Sequence, residues 1–541
     1  MDHRMKSRRR FGASRAAGAA GPALIMALLS MPPLSATVLE IGTGKQLFID
    51  DYVIESLDGT VFKLLNQPLK YAGNPVIEMD QCWEADMHFA NSPNLVYDEA
   101  DRRFKMWNQA VNYSWSTSLL GYYVSEDGLS WEKPPVGQFE YKSDYCRSEA
   151  SRSHNFVFGN AHRLGAPGVF KDLHETDPAK RYKMLYNRRR PESGVWAAYS
   201  ADGIQWKDYP YPEVNPVYLN NDTHQAVFWD EQRESYVAHI RLKPPLFADD
   251  PRFHFRNRKG NVRTPGIATS PDFIHWDAPK DMRDPVEVNR KYILVPPDAE
   301  DGPCTAGFYT FEILQYEGVY VGFLTPYHVC PGMEPEIPPV RGNARNPWMD
   351  RIDIQLAFSR DGRVWQRVGN RRTFIPNGPE GSYDAGMIFV AQQPVVREEL
   401  EEIWIYYVGF ERGHWAVRRG GNQESSVSLA TLRLDGFVSL TAGQGSVTTK
   451  PLVFAGERLE INADTAGPQG EVSAEILDPE TGRPIPGYAR KDCDAFQGDS
   501  VRHAVTWKGK GRVGRLAGQP VQLRFHLKQA KLFSFRFRYG G

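Results

Sequence analysis

The sequence predicts an all-β fold, a five-bladed β-propeller followed by a small β-sandwich domain. The chain has 541 residues, and its 47 Gly and 39 Pro are spread along the whole length. Turn residues at such short intervals indicate many short strands rather than long helices. A short phrase also recurs along the chain, and recurrence at a fixed period is the signature of a repeat architecture.

The composition excludes two classes of protein. The chain carries 65 Lys+Arg against 66 Asp+Glu, a formal net charge of −1. Binding to nucleic acid needs a basic surplus on one face, so nucleic acid is not expected as the main partner. Hydrophobic residues make up 41% and aromatic residues 12% of the chain, which excludes a largely disordered protein.

The N-terminus has the pattern of an export signal. Several Arg and Lys residues lie within residues 1–16, an apolar run follows, and small residues end it at Ser35-Ala36-Thr37. We therefore predict a signal peptide over residues 1–36 and a secreted or periplasmic protein. Arg8-Arg9-Arg10 fits a twin-arginine signal, and an ordinary secretory signal is the alternative. No later segment is apolar enough to cross a membrane, so no membrane partner is expected.

The five cysteines are few and widely spaced: Cys82, Cys146, Cys304, Cys330 and Cys493. No two of them form a C-x-x-C pair, which excludes a zinc ribbon and a dithiol redox motif. Cys304 and Cys330 are a plausible pair in an oxidising compartment. The odd number leaves at least one free thiol.

A repeated phrase, Ser-x-Asp-Gly-x-x-Trp or close to it, divides the chain into units. Its four full copies are Ser125–Trp131, Ser200–Trp206, Ser270–Trp276 and Ser359–Trp365, and a fifth at Leu434–Phe437 lacks the Trp. Aromatic-rich strand pairs precede each copy, so each unit has about four strands. Five such sheets, packed radially, make a propeller. Because the Asp and Trp recur in each full copy, we interpret them as scaffold.

The predicted propeller spans residues 37–450 and the predicted sandwich residues 451–541. The early stretch Gln46–Ile54 is expected to add an outer strand to the last blade and close the ring. Alternating strands such as Glu471–Leu477 and Val521–Leu527 indicate the sandwich. That domain either braces the propeller or binds carbohydrate.

Together these features resemble one known group of enzymes. The export signal, the Asn74-Pro75-Val76-Ile77 lead-in, the Ser-x-Asp-Gly-x-x-Trp turns and the C-terminal sandwich are similar to the five-bladed propeller glycoside hydrolases of families 32 and 43. The order of propeller and sandwich is closest to family 32. The resemblance implies a glycosidase whose paired carboxylates lie at the propeller axis.

Glycosidic cleavage needs two carboxyl groups, one as general acid and one as base or nucleophile. Chemistry at a propeller axis also needs residues that differ between blades. We therefore looked for acids that lie near an inner strand and do not recur from blade to blade. They are Glu84, Asp86, Asp222, Asp301, Glu312 and Asp384. We expect Asp222 to be the base or nucleophile and Glu84 or Glu312 to be the acid.

Other side chains near the expected mouth are candidates for binding the sugar. Imidazole groups can bond to hydroxyls, guanidinium groups hold anionic sugars, and indole rings stack on sugar faces. The candidates are Trp83, His88, His154, His224, Arg241, Trp348 and His414. No cofactor is required, although a divalent cation such as calcium on the axis is left open.

The predicted function is a secreted glycoside hydrolase that cleaves a polysaccharide or oligosaccharide. Two alternatives remain open, a carbohydrate-binding propeller without activity and a polysaccharide lyase. The lyase would need a Tyr or His base beside an Arg that binds the uronate. The oligomeric state, the sugar and its linkage are not predicted.

Overall fold

The computed structural model describes residues 38–112, 116–147, 149–159, 164–188, 194–210, 225–244, 246, 262–278, 291–301, 305–328, 351–414, 424–465 and 467–540. Their regular structure consists of β-strands and short 3-10 turns, so the predicted all-β class is confirmed. The predicted signal peptide, Cys304 and Cys330 lie outside these residues.

Five strands precede the first repeat: β1 (Leu39–Gly42), β2 (Gln46–Leu47), β3 (Ile54–Gly59), β4 (Phe62–Leu65) and β5 (Leu69–Lys70). The first strand group then contains β6 (Met87–Phe89), β7 (Asn94–Asp98), β8 (Arg103–Asn112), β9 (Ser118–Ser125) and β10 (Phe156–Phe158). The second contains β11 (Gly165–Lys171), β12 (Tyr182–Arg188), β13 (Gly194–Ser200) and β14 (Lys207–Asp208).

The third group contains β15 (Gln225–Asp230), β16 (Ser235–Leu242) and β17 (Thr264–Ser270). The fourth contains β18 (Thr305–Tyr316), β19 (Val319–His328), β20 (Arg351–Ile352), β21 (Ile354–Ser359), β22 (Gln366–Arg367) and β23 (Thr373–Ile375). The fifth contains β24 (Met387–Val390), β25 (Val395–Arg397), β26 (Glu402–Phe410) and β27 (Ser425–Arg433).

The C-terminal strands are β28 (Val438–Thr449), β29 (Leu452–Phe454), β30 (Arg458–Thr465), β31 (Glu471–Leu477), β32 (Asp499–Ala504) and β33 (Gln522–Arg538). One sheet joins β3, β28, β33, β30 and β32 in that order, and β2, β4 and β31 pair at its side. A separate parallel pair joins β1 to β29. The 3-10 turns are Cys82–Glu84, Pro178–Lys180, Ala299–Asp301, Gly369–Arg371, Arg490–Asp492 and Gly514–Leu516.

The prediction that Gln46–Ile54 closes the ring is wrong. Its strand β2 pairs with β33, and β3, which begins at Ile54, pairs with β28. The reason is hydrophobic burial, because Phe48, Val53 and Ile54 lie in the apolar core of the C-terminal sheet. Strand β5 instead pairs with β27 on the outer side of the fifth group.

Each strand group shares an apolar core with the next. Separate clusters lie between the first and second, second and third, third and fourth, and fourth and fifth groups. A further cluster joins the fifth group back to the first, with Phe104 and Met106 against Trp404 and Tyr406. Burial between neighbouring sheets is the main source of stability in such a repeated structure.

The repeated phrase forms the same turn in all four full copies. In the first, the Asp127 carboxylate accepts hydrogen bonds from the N–H groups of Leu129 and Ser130, and the Trp131 indole donates to the Gly128 carbonyl. The other three copies repeat these contacts. The interpretation of these Asp and Trp residues as scaffold is confirmed.

The same end of the sheets carries a second repeated contact. Asp98 of the first group accepts bonds from Lys105 of its own group and Tyr182 of the next. Asp172 contacts Lys183 and Tyr236 in the same way, and Asp230 accepts from Tyr320. These buried contacts join the first four groups, each to the next.

One disulfide bond joins Cys82 to Cys146, 64 residues apart in sequence, and Cys493 is a free thiol as the odd count predicts. The pairing of Cys82 with Cys146 was not predicted from the sequence. Among the described residues, none of the helical segments has the length and hydropathy that a membrane span requires.

Candidate active site

The two ends of the strand groups differ in chemistry. We call the end with the Ser-x-Asp turns the turn end, and the end where the inner strands β6, β11, β15, β18 and β24 begin the axial mouth. The turn end repeats one set of contacts from group to group, as described above. Between the turn end and the mouth, several side chains depart from the repeat, which is the condition for a functional site on a repeated scaffold.

Glu312 is an acid at a position where the three preceding groups have none. It pairs with Phe323 of β19, three residues after Tyr320. The equivalent pairings place Asn94, Gly168 and Ala226 at this position in the first three groups. Glu312 is 1% exposed. Among the four groups compared, a carboxyl group at this position is therefore specific to the fourth.

His239 lies next to this position and also breaks the repeat. It pairs with Ala226 across the third group, where the neighbouring groups have Leu185 and Phe323. Its Nδ1 lies 3.0 Å from the carbonyl oxygen of Phe311, and its ring stacks on the Phe311 ring at 5.4 Å. The imidazole is thus held beside the inner strand that carries Glu312.

Nearer the mouth, five buried side chains from three groups form what we call the mouth cluster: Arg241, Arg263, Tyr309, Tyr327 and His414. The guanidinium carbons of the two arginines lie 4.7 and 4.9 Å from the Tyr309 ring centre. The Tyr309 hydroxyl and His414 Nε2 are hydrogen-bonded at 2.9 Å. The cluster therefore combines two cations with a Tyr–His pair.

Local backbone geometry brings Arg263 to this place. The N–H of Phe308 donates to the Arg263 carbonyl at 2.8 Å, joining the third group to the fourth. Gly307 has φ +121°, and a Cβ there would lie 2.5 Å from the Arg263 carbonyl oxygen. Only glycine permits so close a backbone approach. Arg241 pairs with Pro265, two residues beyond Arg263, so both arginines lie on the same face of the sheet.

Glu84 and Asp86 precede β6, as predicted. Glu84 is fully buried, and its Oε2 lies 2.5 Å from Lys133 Nζ. Burial raises the pKa of Glu84, although Lys133 acts in the opposite direction. Burial also raises the pKa of Asp86, and the nearby Asp144 charge adds to the effect. The oxygen of Glu84 is occupied by its lysine, which is the arrangement of a buried ion pair.

Asp384 is also buried and held by a lysine. Its Oδ2 lies 2.5 Å from Lys70 Nζ, and the Tyr407 hydroxyl donates to the same oxygen at 3.1 Å. Lys70 belongs to β5, the outer strand of the fifth group. No hydrogen bond or ion pair within the described ranges joins Asp384 to Glu84.

His154 and Trp83 make contacts within the first group. The backbone N–H of Phe156 donates to His154 Nδ1 at 3.1 Å, so Nε2 carries the proton and donates to the Phe139 carbonyl at 2.9 Å. Both ring nitrogens are thus used by the scaffold. The Trp83 indole donates to Asn155 Oδ1 at 3.0 Å.

Asp301, which precedes the fourth group, is also held in ion pairs: it lies 3.0 Å from Arg367 and from Arg371.

Three predicted site residues, Asp222, His224 and Trp348, lie outside the described residues. Of the others, the structure brings Arg241 and His414 together in the mouth cluster. Arg263, Tyr309, Tyr327 and His239 were not singled out from the sequence. The signal for His239 is that it interrupts an otherwise aromatic-aliphatic strand, Tyr236–His239.

A metal site is not evident in the part of the chain that the structure describes. Within it, His, Cys, Asp and Glu side chains do not form a group of three or more that could hold a metal ion. The calcium ion left open in the sequence analysis therefore stays a hypothesis. Carboxylate and carbonyl oxygens would be its expected ligands.

Because His88 is buried, we predict that the protein loses stability as the pH falls. The side chain is 1% exposed, and burial lowers its pKa from 6.5 to about 4. Because the folded state binds the proton more weakly than the unfolded state, stability falls as the pH drops from 6.5 towards 4, by about 1.4 kcal/mol per pH unit. We expect His88→Gln to lose this part of the slope in urea unfolding from pH 7 to pH 4. An unchanged slope would contradict the prediction.

Comparison with protein-family models finds no match, and comparison with curated proteins finds none either. Solved structures do match. A glycosyl hydrolase from Bacteroides ovatus is 14% identical with a TM-score of 0.38, over 72% of this chain and 96% of that one. A thermostable family-43 glycoside hydrolase is 11% identical with a TM-score of 0.40, over 68% and 95%.

A third similar structure has a different activity. It is an N-acetylgalactosamine deacetylase from F. plautii in complex with a blood group B trisaccharide, 12% identical with a TM-score of 0.41 over 69% of this chain and 96% of that one. The solved structures similar to this chain therefore include glycoside hydrolases, the superfamily that the sequence resembles.

Proposed function

We propose that this protein is an exported glycoside hydrolase built as a five-bladed propeller with a C-terminal β-sandwich. Five strand groups and five apolar clusters, the last joining the fifth group to the first, support the propeller. The Cys82–Cys146 disulfide fits an oxidising compartment, and so supports export.

The observation that carries the proposed activity is the position of Glu312. Four strand groups can be compared at this inner-strand position, and three of them carry Asn, Gly or Ala there. Burying a carboxyl group is costly, so its presence in one of the four groups calls for a role other than apolar packing. A glycosidase needs such a group beside the bond that it cleaves.

The roles follow from the two-carboxylate chemistry. Glu312 acts as the general acid and gives a proton to the oxygen of the leaving sugar. Asp222, three residues before β15 in sequence, acts as the base or nucleophile on the other side of the sugar ring. His239 and the tyrosines of the mouth cluster bind sugar hydroxyls and hold the ring between the two acids.

Glu84 and Asp384 are assigned to the scaffold in this proposal. Each is buried with a lysine at 2.5 Å, and the proposed role of each is to hold that ion pair. Their lysines, Lys133 and Lys70, belong to outer parts of their own groups.

Asp222→Asn tests the proposed role of Asp222 as base or nucleophile, and Asp384→Asn is the matched control at a proposed scaffold residue. We expect Asp222→Asn to lower the release of new reducing ends from a polysaccharide panel by about 10²-fold or more, because the base or nucleophile is lost. Asp384→Asn keeps the shape of the side chain and should retain most of the activity. Equal losses in two folded variants would contradict the proposed roles.

A polysaccharide lyase is the second candidate, and one observation favours it. The Tyr309–His414 hydrogen bond lies beside Arg241 and Arg263, the residue types that a β-elimination needs as base and as partner of the uronate. A lyase would produce unsaturated uronate, seen by its ultraviolet absorbance. Such absorbance, abolished in Tyr309→Phe and retained in Asp222→Asn, would move the assignment to a lyase.

A further inference from the structure

We propose that Arg263, with Arg241 and the two tyrosine rings of the mouth cluster, forms a subsite for an anionic group of the sugar, a carboxylate or a sulfate ester. The substrate class is then an acidic glycan. This inference rests on the proposed function, because it names the substrate of the same mouth.

The first support is the burial of Arg263 without an acceptor. The side chain is 1% exposed, and within the described ranges no atom accepts a hydrogen bond from its Nε or Nη1. The ring centres of Tyr309 and Tyr327 lie 4.9 and 5.3 Å from its guanidinium carbon. A buried cation with open donors is costly in the free protein and is satisfied when an anion binds.

The second support is the neighbouring cation. Arg241 contacts the same Tyr309 ring, which places the two guanidinium carbons less than about 10 Å apart, within the range of unscreened repulsion. Two guanidinium groups at this separation can share one bound anion. Planar guanidinium groups match carboxylate and sulfate oxygens through paired hydrogen bonds.

The third support is the distribution of charge between the two ends. Arginines gather at the mouth, where the second strands end and the third strands begin: Arg188, Arg241, Arg263, Arg351 and Arg412. At the turn end, the buried aspartates Asp98 and Asp172 are neutralised by lysines. Arginines at this end suit the binding of acidic polymers, because guanidinium groups pair with carboxylate and sulfate oxygens.

Arg263→Met separates a binding role from a structural one. Because the variant removes a buried cation and keeps the volume, we expect its melting temperature to equal or exceed that of the wild type. We expect at least a tenfold weaker affinity for a uronate-containing oligosaccharide by calorimetry. Arg263→Lys keeps the charge but loses the planar guanidinium group, so its affinity should lie between those of the wild type and Arg263→Met.

The comparison substrates identify the anion. Wild type and Arg263→Met are assayed on one acidic polysaccharide, on its carboxyl-reduced form and on its desulfated form. We expect the wild type to be at least tenfold less active on either the carboxyl-reduced or the desulfated form than on the untreated polysaccharide. Arg263→Met should act on the treated and untreated forms equally. A variant that loses thermal stability while keeping the acidic-to-neutral ratio of the wild type would overturn the proposal.

The same assays distinguish a failure of the anion subsite from a failure of the proposed hydrolase activity. If wild type releases reducing ends equally from acidic and neutral forms, the anion subsite is wrong and the hydrolase stands. If it binds acidic oligosaccharides through Arg263 but cleaves none of the panel, the subsite stands and the hydrolase is wrong.

Discussion

Glu312→Gln is expected to lower the rate of glycosidic cleavage by about 10³-fold, within the range for loss of a general acid. The change keeps the size and burial of the side chain and removes only its ability to transfer a proton. The measurement is the turnover number on the best substrate of a polysaccharide panel. The melting temperature is measured in parallel to confirm folding.

Glu126→Gln is the matched control for that experiment. Glu126 is exposed at the turn end, where it pairs with Arg103 at 2.7 Å, so the same substitution should leave turnover unchanged. If Glu312→Gln folds and keeps more than a tenth of the wild-type turnover, Glu312 is not the general acid.

Lys183→Met is expected to cost about 3–5 kcal/mol of unfolding free energy, the usual loss when one partner of a buried ion pair is removed. Lys183 is 1% exposed and contacts the fully buried Asp172, the Tyr236 hydroxyl of the next group, and Glu175 at 2.9 Å. Without the lysine, Asp172 would be a buried charge with no cation beside it.

Lys142→Met is the control of the same chemistry at the surface. Lys142 lies 3.4 Å from Glu149, and both side chains are more than half exposed, so the loss should stay below about 1 kcal/mol. Both free energies come from urea unfolding at pH 7. Equal, small losses in the two variants would show that the repeated Asp–Lys–Tyr contact does not hold the groups together.

The repeated part of the fold was predictable because its signals are local. The Asp127 turn is made by residues within a few positions of one another, and the same contacts recur wherever the phrase recurs. The error at Gln46–Ile54 has the opposite cause. Strand β2 pairs with residues almost five hundred positions later, and nothing local distinguishes that partner from an outer strand of the last blade.

The candidate site was predictable where a residue breaks the repeat. Glu312 was predicted because it is an acid near an inner strand that does not recur from blade to blade. Arg263 and Tyr309, in contrast, resemble the aromatic and basic residues that pack throughout the scaffold. Their role depends on the close approach at Gly307, a contact between groups that spacing does not reveal. Asp384 and Glu84 were predicted by the same rule. Their ion pairs with Lys70 and Lys133 could not be foreseen, because these lysines are distant from them in sequence.

The most direct test of the central claim is a single assay of the purified protein, from residue 37 onward, on a broad polysaccharide panel. New reducing ends and unsaturated-uronate absorbance are followed together. We predict reducing ends from an acidic polysaccharide, without absorbance, and their loss in Glu312→Gln. Growth of absorbance, or binding with no cleavage of any polysaccharide, would contradict the proposed hydrolase.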